Sequence, residues 1–254
     1  MRMVHSLSAP TAPLAPARTT VERLQGTIWE RFNSAQLLYR IINAIAVGLS
    51  KLGVTANAIT YVSLLGALGS AFAAARGMLL TAALLLLASG ILDLLDGAVA
   101  RTTGKTSAWG ALLDSTCDRV ADALPLAGLV VLYAKWGWSA LIPVVAILGG
   151  FLISYVRARS EGLGKKLPQL LMRRAERVLV IITSLALGGI GLDRLHIGCP
   201  LVAPLTLVGI AVLAVLNVAG LVAVLRAARR TLLSEPPPAQ PEVEVAELGV
   251  SRSR

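Results

Sequence analysis

Four aspartates stand in apolar segments that are long enough to form membrane helices. Asp93 and Asp96 are three positions apart, and Asp114 and Asp118 are four positions apart. In a helix, both spacings place the two carboxylates on one face. Only the short turn 101–107 separates the two segments. We therefore expect antiparallel neighbouring helices that bring all four carboxylates to a similar depth.

Carboxylates gathered at one depth repel one another, and acidic side chains inside membrane helices usually mark a functional site. Mg²⁺ or Mn²⁺ suits such a cluster, and a two-metal site would leave coordination positions for phosphate oxygens. Zinc fits poorly, because His5 and His196 are remote from the aspartates in the sequence. A cation pathway in a transporter, or structural pairing with Arg101 and Arg119, is the alternative interpretation.

Small residues accompany the aspartates. Gly97 and Gly110 remove side chains where a nucleotide would approach the helix backbone, and Ala100 keeps the same face small. Arg101 can bind a diphosphate. Close helix packing would explain the glycines equally well, since it is common in membranes.

The composition of the whole chain excludes an ordinary soluble domain. Of the 254 residues, 56% are hydrophobic and 15% are charged, whereas a soluble domain carries roughly 25% charged residues. The sequence predicts an all-α integral membrane protein with six transmembrane helices, preceded by an N-terminal amphipathic interfacial helix. The six spans are expected at about 55–75, 79–100, 107–134, 139–160, 175–192 and 201–225.

The chain divides into four segments. Residues 1–20 and 231–254 are expected to be disordered tails, because they are rich in proline and polar residues. Residues 21–52 have the amphipathic pattern of a helix lying on a membrane. Residues 53–230 form the predicted six-helix domain, whose short connections favour a single bundle. Two cysteines are too few for a disulfide framework.

The distribution of charge predicts the orientation in the membrane. The net charge is +10, and only Arg76, Lys135 and Arg194 fall on the predicted outer side, with Arg119 inside a helix. The remaining basic residues share the other side, which the positive-inside rule makes cytoplasmic. Both termini and the aspartates are therefore expected at the cytoplasmic face of a bacterial inner membrane. The basic residues favour contact with anionic lipids or substrates and disfavour nucleic acid.

The spacing of the aspartates and small residues carries a family resemblance. The pattern is Asp93-x-x-Asp96-Gly97-x-x-Ala100-Arg101, then eight residues, then Gly110-x-x-x-Asp114-x-x-x-Asp118. It resembles the signature of the CDP-alcohol phosphotransferase family. The resemblance extends over roughly residues 50–225, and residues 54–60 look like the family's entry to the first helix, with Ala56 where proline is usual.

This resemblance implies an enzyme in which an alcohol attacks the β-phosphorus of a CDP-linked lipid, CDP-diacylglycerol, and expels CMP. It implies that the metal ligands are Asp93, Asp96, Asp114 and Asp118. It assigns the catalytic base to Asp118, which would take the proton from the acceptor hydroxyl. CDP-lipid binding would fall to Asp93, Gly97, Ala100, Arg101 and Gly110.

The acceptor alcohol is indicated by less specific features of the sequence. Residues 154–162, 174–177 and 113–122 resemble stretches of bacterial phosphatidylinositol-phosphate synthases and their archaeal relatives, although Arg157 stands where lysine is frequent and Ala175 where proline is frequent. The predicted acceptor-phosphate pocket contains Arg157, Arg159, Arg174 and Arg177. A phosphorylated acceptor needs such cations, whereas a neutral one does not. Cytoplasmic positive charge alone would be the simpler explanation.

The sequence therefore predicts a phospholipid synthase that uses inositol phosphate, with glycerol 3-phosphate as the second candidate. A cation transporter and a catalytically silent membrane scaffold are the competing classes. Asp122, one turn beyond Asp118, could support a metal ligand or line the acceptor site. A homodimer is expected, because Gly66, Gly69, Gly149 and Gly150 permit close helix packing.

Overall fold

Helices make up all the regular structure in the described part of the chain, which comprises residues 33–104, 107–168, 173–190 and 203–233 of a computed structural model. The α-helices are α1 (Asn33–Lys51), α2 (Ala56–Ala75), α3 (Leu79–Thr102), α4 (Ala108–Tyr133), α5 (Leu141–Gly162), α6 (Arg174–Gly189) and α7 (Pro204–Leu233). The prediction of an all-helical structure is confirmed for this part of the chain.

Glycines with positive φ follow the ends of several helices, among them α1, α2 and α5. Gly53, Gly77 and Gly164 have φ values of +76°, +75° and +76°, a region that only glycine adopts without a steric penalty. After α2, the Gly77 N–H donates to the Ala74 carbonyl and the next N–H donates to the Ala73 carbonyl, both at 2.9 Å. These two hydrogen bonds satisfy carbonyl groups at the end of the helix, and the chain reverses its direction there.

Hydroxyl side chains cap the starts of α2 and α4. Thr55 Oγ1 accepts a hydrogen bond from the Ala58 N–H at 3.3 Å before α2. Ser107 Oγ accepts one from the Gly110 N–H at 3.0 Å before α4. Both satisfy backbone donors that have no partner within the helix. The Ser107 cap sets where α4 starts and hence the register of its aspartates.

A short 3-10 segment, Ala134–Ala140, separates α4 from α5. Trp136 and Gly137 have non-helical backbone angles there. The apolar stretch Ala108–Gly162, which is 55 residues long, therefore consists of two helices. This stretch is one of four among the described residues that are long and apolar enough to cross a membrane, the others being Ala56–Ala75, Leu79–Thr102 and Pro204–Leu233.

The first of two structural units comprises Met1–Leu64 and Ser89–Cys117. Its described core joins α1, α2 and α3 through Ile42, Ala46, Ile59, Leu95, Ala98 and Val99. Ser89 Oγ also donates to the Ser63 carbonyl at 2.7 Å, which links α3 to α2. Burial of these apolar side chains holds the aspartate-bearing part of α3 against its neighbours.

The second unit comprises Leu65–Ala88 and Asp118–Arg254 and has the larger described core. Tyr133 is fully buried, and its hydroxyl donates to the Ala203 carbonyl at 2.9 Å. A Cβ on Gly128 would overlap the carbonyl oxygen of Ala71. The backbones of α4 and α2 are therefore in direct contact at this point, which a glycine alone permits.

Several helix limits differ from the sequence-based ones. The last helix was expected to end near residue 225, but α7 continues to Leu233 and enters the predicted C-terminal tail by three residues. Its final turns carry Arg226, Arg229 and Arg230, and basic side chains are favourable at a helix C-terminus. Of the predicted interfacial helix, only Asn33–Lys51 is described; residues 1–32, the outer turn at 193–200 and residues 234–254 lie outside the described residues.

Candidate active site

Three of the four predicted metal ligands come together. One carboxylate oxygen from each of Asp93, Asp114 and Asp118 lies within 4.8 Å of the others. Asp93 is on α3, and the other two are one turn apart on α4. Three hard oxygen donors so close together repel one another unless a cation lies between them. These residues therefore fit the divalent cofactor, Mg²⁺ or Mn²⁺, that the sequence predicts.

The fourth aspartate is held by a residue that the sequence analysis missed. Asp96 is only 3% exposed, and its Oδ2 accepts a hydrogen bond from the Thr60 hydroxyl at 2.7 Å. Thr60 Oγ1 also lies 3.1 Å from the Ala56 carbonyl, but its single proton can be donated to one oxygen at a time, and the carboxylate is the stronger acceptor. The 54–60 segment contains this threonine, so the signal was present in the sequence.

Replacing Thr60 with valine tests this contact, because valine keeps the shape of the side chain and removes its donor. The buried Asp96 carboxylate would lose a partner, at a cost of about 1–3 kcal/mol in the free energy of unfolding. We expect Mn²⁺ binding to weaken by about tenfold as well, the usual effect of removing a group that orients a ligand. Thermal unfolding and electron paramagnetic resonance of free Mn²⁺ would measure the two effects.

Thr183→Val is the matched control, because Thr183 donates to the Leu179 carbonyl of its own helix at 2.8 Å and is exposed. We expect it to leave both measurements unchanged. Unaltered Mn²⁺ affinity in Thr60→Val would show that the hydroxyl does not position a metal ligand.

The small residues of the motif lie next to polar side chains in the first unit. A Cβ on Gly97 would come within 3.2 Å of Arg101 Nη1, so the guanidinium lies over this glycine. A Cβ on Gly110 would lie 3.1 Å from Ser107 Oγ and 3.7 Å from Asn57 Oδ1. Asn57 is a second residue of the 54–60 segment that the sequence analysis did not single out. Arg101 and the glycines thus combine a positive charge with open space, as a diphosphate site would require.

Alternating ion pairs connect Asp118 to two of the predicted acceptor arginines. Arg174 Nη1 lies 2.8 Å from Asp118 Oδ1, and its Nε lies 3.2 Å from Asp122 Oδ1. Arg177 Nη2 lies 3.0 Å from Asp122 Oδ2, and Arg177 is buried. Each oxygen of Asp122 therefore receives one guanidinium. Asp122 lies outside the group of three carboxylates and orients the arginines instead.

The other two predicted acceptor arginines differ from each other. Arg159 is exposed on the last turn of α5. Arg157 Nε and Nη2 are buried and have no hydrogen-bond partner in the described part of the chain. Arg173, Arg177 and Glu161 lie within electrostatic range of Arg157. Buried guanidinium donors without a partner are costly, and a bound anion would satisfy them.

A family model for CDP-alcohol phosphatidyltransferases matches residues 53–215 of this chain. The chain belongs to this family. The resemblance predicted from the aspartate motif is confirmed, and the protein is a phosphatidyltransferase enzyme. The competing interpretations as a cation transporter or a silent scaffold are set aside. Several apolar helices and the family assignment together make the phosphatidyltransferase an integral membrane protein.

Relatives of the phosphatidyltransferase have related names. It is 37% identical over 149 residues to the archaetidylinositol phosphate synthase of Methanothermobacter thermautotrophicus, covering 58% of this chain and 73% of the relative. It is 35% identical over 188 residues to the phosphatidylinositol phosphate synthase of Mycobacteroides abscessus, covering 70% of this chain and 84% of the relative.

Solved structures of the Mycobacterium tuberculosis phosphatidylinositol phosphate synthase share the fold of the phosphatidyltransferase. The form with CDP-DAG bound matches with a TM-score of 0.64 and 28% identity, covering 74% of this chain and 94% of the other. The form in complex with manganese and citrate matches with a TM-score of 0.65 and 27% identity, covering 74% and 88%.

Proposed function

We propose that this phosphatidyltransferase transfers the phosphatidyl group of CDP-diacylglycerol to inositol phosphate and releases CMP. The observation that carries the acceptor assignment is the guanidinium of Arg157, whose buried Nε and Nη2 have no hydrogen-bond partner among the described residues. The names of the relatives, which include phosphatidylinositol and archaetidylinositol phosphate synthases, support the same acceptor.

The charges of the acceptor site favour a phosphorylated alcohol. Arg174 and Arg177 are paired with Asp118 and Asp122, so the charges of this group of four balance, and Arg157 adds one positive charge beside it. A phosphate monoester would compensate this charge through charge-assisted, often bidentate hydrogen bonds. A neutral acceptor such as inositol, or a cationic one such as choline, would leave it uncompensated. We assign acceptor binding to these three arginines and to Arg159.

The reaction requires one proton transfer and one displacement. The acceptor oxygen forms a bond to the β-phosphorus while the bond to the phosphate of CMP breaks, and CMP leaves with the electron pair. Asp118 takes the hydroxyl proton, and its contact with Arg174 at 2.8 Å places it beside the acceptor arginines. Arg101 and the small residues Gly97, Ala100 and Gly110 hold the CDP end of the lipid, with Asp93 adjacent.

We assign the metal ions to Asp93, Asp96, Asp114 and Asp118 as a two-metal site. When bound, Mg²⁺ or Mn²⁺ neutralises the diphosphate oxygens and the charge that develops on the leaving group. The close approach of three of these carboxylates supports the assignment. The Thr60 hydrogen bond would hold the fourth in place.

The topology we propose has six spans, α2 to α7, with α1 on the cytoplasmic surface of the inner membrane of a bacterium. Ile41 and Ile45 of α1 are exposed, as expected of side chains that enter a lipid interface. The basic residues of the last turns of α5 and α7 would face the cytoplasm together with the active site. We also propose a homodimer, for which exposed apolar side chains such as Leu65 and Phe72 offer a surface, whereas Gly149 is buried against Asn217 of the same chain.

Labelling of introduced cysteines tests this orientation. Lys166 and Lys135 are both exposed and lie on opposite sides in the proposed topology. In a background in which Cys117 and Cys199 are serine, we expect Lys166→Cys to react with an impermeant maleimide only from the cytoplasmic side. Lys135→Cys should react only from the other side. The reverse pattern would overturn the proposed orientation.

The acceptor assignment is tested with purified protein, CDP-diacylglycerol, Mg²⁺ or Mn²⁺ and a panel of alcohols. The panel contains inositol phosphate, glycerol 3-phosphate, inositol and serine, and mass spectrometry identifies the lipid formed. We expect phosphatidylinositol phosphate and one equivalent of CMP. Preference for glycerol 3-phosphate would make the protein a phosphatidylglycerophosphate synthase, and preference for an unphosphorylated alcohol would overturn the role of the arginines.

A further inference from the structure

The last helix, α7, continues beyond the length that a membrane span needs. Residues 204–225 of this helix carry no charged side chain and rise by about 33 Å at 1.5 Å per residue. The hydrocarbon core of a bilayer is about 30 Å thick, so this part of the helix suffices to cross it. The helix nevertheless continues to Leu233, about 12 Å further. Residues 226–233 therefore extend beyond the hydrocarbon core.

Three exposed arginines, Arg226, Arg229 and Arg230, lie in this extension of α7. The other side of the helix is packed against the bundle, because Val224 is fully buried and Ala228 is only 7% exposed. The sequence of α7 contains no acidic residue. Within the described part of the chain, none of the three arginines forms an ion pair. The extension therefore presents its guanidinium groups outward, away from the bundle.

The depth of these arginines matches the headgroup layer of a bilayer. That layer adds about 5–7 Å on each side of the hydrocarbon core, and Arg226 and Arg230 are about 6 Å apart along the helix axis. Val222 and Leu225 are 40% and 48% exposed. Their spacing from Arg226 and Arg229 is that of one helix face. Apolar side chains at the depth of acyl chains therefore continue into guanidinium groups at the depth of phosphates.

We propose that Arg226, Arg229 and Arg230 bind the phosphodiester group of an anionic lipid in the adjacent leaflet, and that Val222 and Leu225 contact its acyl chains. Guanidinium groups bind phosphate oxygens through charge-assisted, often bidentate hydrogen bonds. Each basic side chain near an anionic leaflet adds to the attraction. The inference uses the membrane span of α7 and does not depend on the acceptor alcohol or on the direction in which the chain crosses the membrane.

Other occupants fit this surface less well. A free phosphate ion would pair with the arginines but would make no contact with the apolar side chains below them. A zwitterionic lipid such as phosphatidylcholine has a phosphate, but its ammonium group would meet three positive charges. An acidic protein that approached from water would reach the arginines but not Val222 or Leu225, which lie at the depth of the acyl chains. An anionic lipid satisfies both parts of the surface.

Native mass spectrometry of the full-length protein in detergent tests the inference, because it resolves individual bound lipids during a titration. Phosphatidylglycerol is the anionic probe and phosphatidylcholine the zwitterionic one. We expect the wild-type protein to bind phosphatidylglycerol more tightly. Combining Arg226→Gln, Arg229→Gln and Arg230→Gln should weaken the binding of the first phosphatidylglycerol by at least about fivefold, the contribution expected of one basic side chain near an anionic surface. Binding of phosphatidylcholine should stay unchanged.

Arg76→Gln combined with Lys135→Gln is the control for a general loss of positive charge, because both residues are exposed and neither is on α7. We expect this control to bind phosphatidylglycerol as the wild-type protein does. Arg226→Gln alone should give a smaller loss in the same direction, which keeps the test valid if the triple variant is unstable.

Three results would overturn the inference. The first is equal affinity of the wild-type protein for the two lipids. The second is unchanged binding of phosphatidylglycerol in the α7 variants, or an equal loss in the control, which would reduce the effect to net charge. The third is displacement of the bound lipid by inorganic phosphate at the same concentration, which would make the surface a site for free anions. The acceptor assay described above is independent of all three.

Discussion

Replacing any one of Asp93, Asp96, Asp114 and Asp118 with asparagine is expected to reduce turnover by at least about a hundredfold, the loss typical of catalytic groups. Asparagine keeps the size of the side chain but removes the negative charge that holds a divalent cation. The effect should be largest at Asp118, which we place both among the ligands and at the acceptor hydroxyl. Excess EDTA should abolish activity in the wild-type protein.

Direct measurement of metal binding separates this expectation from a general loss of folding. Mn²⁺ titration should show weaker binding in each asparagine variant, with helical content unchanged by circular dichroism. Glu161→Gln is the control, because Glu161 is exposed near the end of α5 and apart from the three clustered carboxylates. Full activity in EDTA, or normal turnover in Asp96→Asn, would contradict the metal assignment.

Substitution of Arg157 by glutamine should raise the KM for inositol phosphate by roughly tenfold or more, because a charged hydrogen bond is worth about 1.5–3 kcal/mol. Glutamine reaches the same region but has neither the charge nor the bidentate geometry of a guanidinium. The KM for CDP-diacylglycerol should hardly change. Arg101→Gln should show the opposite pattern, because Arg101 lies over Gly97 in the part of the motif that we assign to the CDP-lipid.

Arg159, which we also assign to acceptor binding, provides a comparison two positions along the same helix. It is exposed, whereas Nε and Nη2 of Arg157 are buried, so Arg159→Gln should have a much smaller effect. Arg174→Gln and Arg177→Gln should raise the acceptor KM and also lower stability, since each breaks a contact with Asp122. If all four variants had the KM of the wild-type protein for the acceptor, these arginines would reflect only the orientation of the chain in the membrane.

The features that repeat along the sequence could be predicted from it. The lengths of the apolar stretches predicted the ends of α2, α3, α4 and α5 to within about two residues, because a membrane span is a long and uniformly apolar stretch of sequence. Helical periodicity and a short turn also sufficed to bring Asp93 together with Asp114 and Asp118. In these cases local geometry determines which residues meet.

Contacts that depend on side-chain direction could not be predicted in the same way. Charge alone grouped Arg157 with Arg159, although one is partly buried and the other is exposed. The role of Asp122 stayed open, because only the folded chain shows that its two oxygens face Arg174 and Arg177. Thr60 lies in the 54–60 segment that resembles the family, but a single polar residue in an apolar helix has no periodic pattern that would predict its contact with Asp96.

The contact between Gly128 and the Ala71 carbonyl limits how this sequence can vary. No side chain fits at residue 128 unless α4 moves away from α2, so even a methyl group there would alter the packing of two helices. Gly48 and Gly90 are also inside helices, yet a Cβ on either would meet nothing within 4 Å. The same replacement by alanine therefore has opposite effects. At Gly128 it disturbs the packing of the helices, whereas at Gly48 or Gly90 it removes backbone freedom from the unfolded chain at no steric cost.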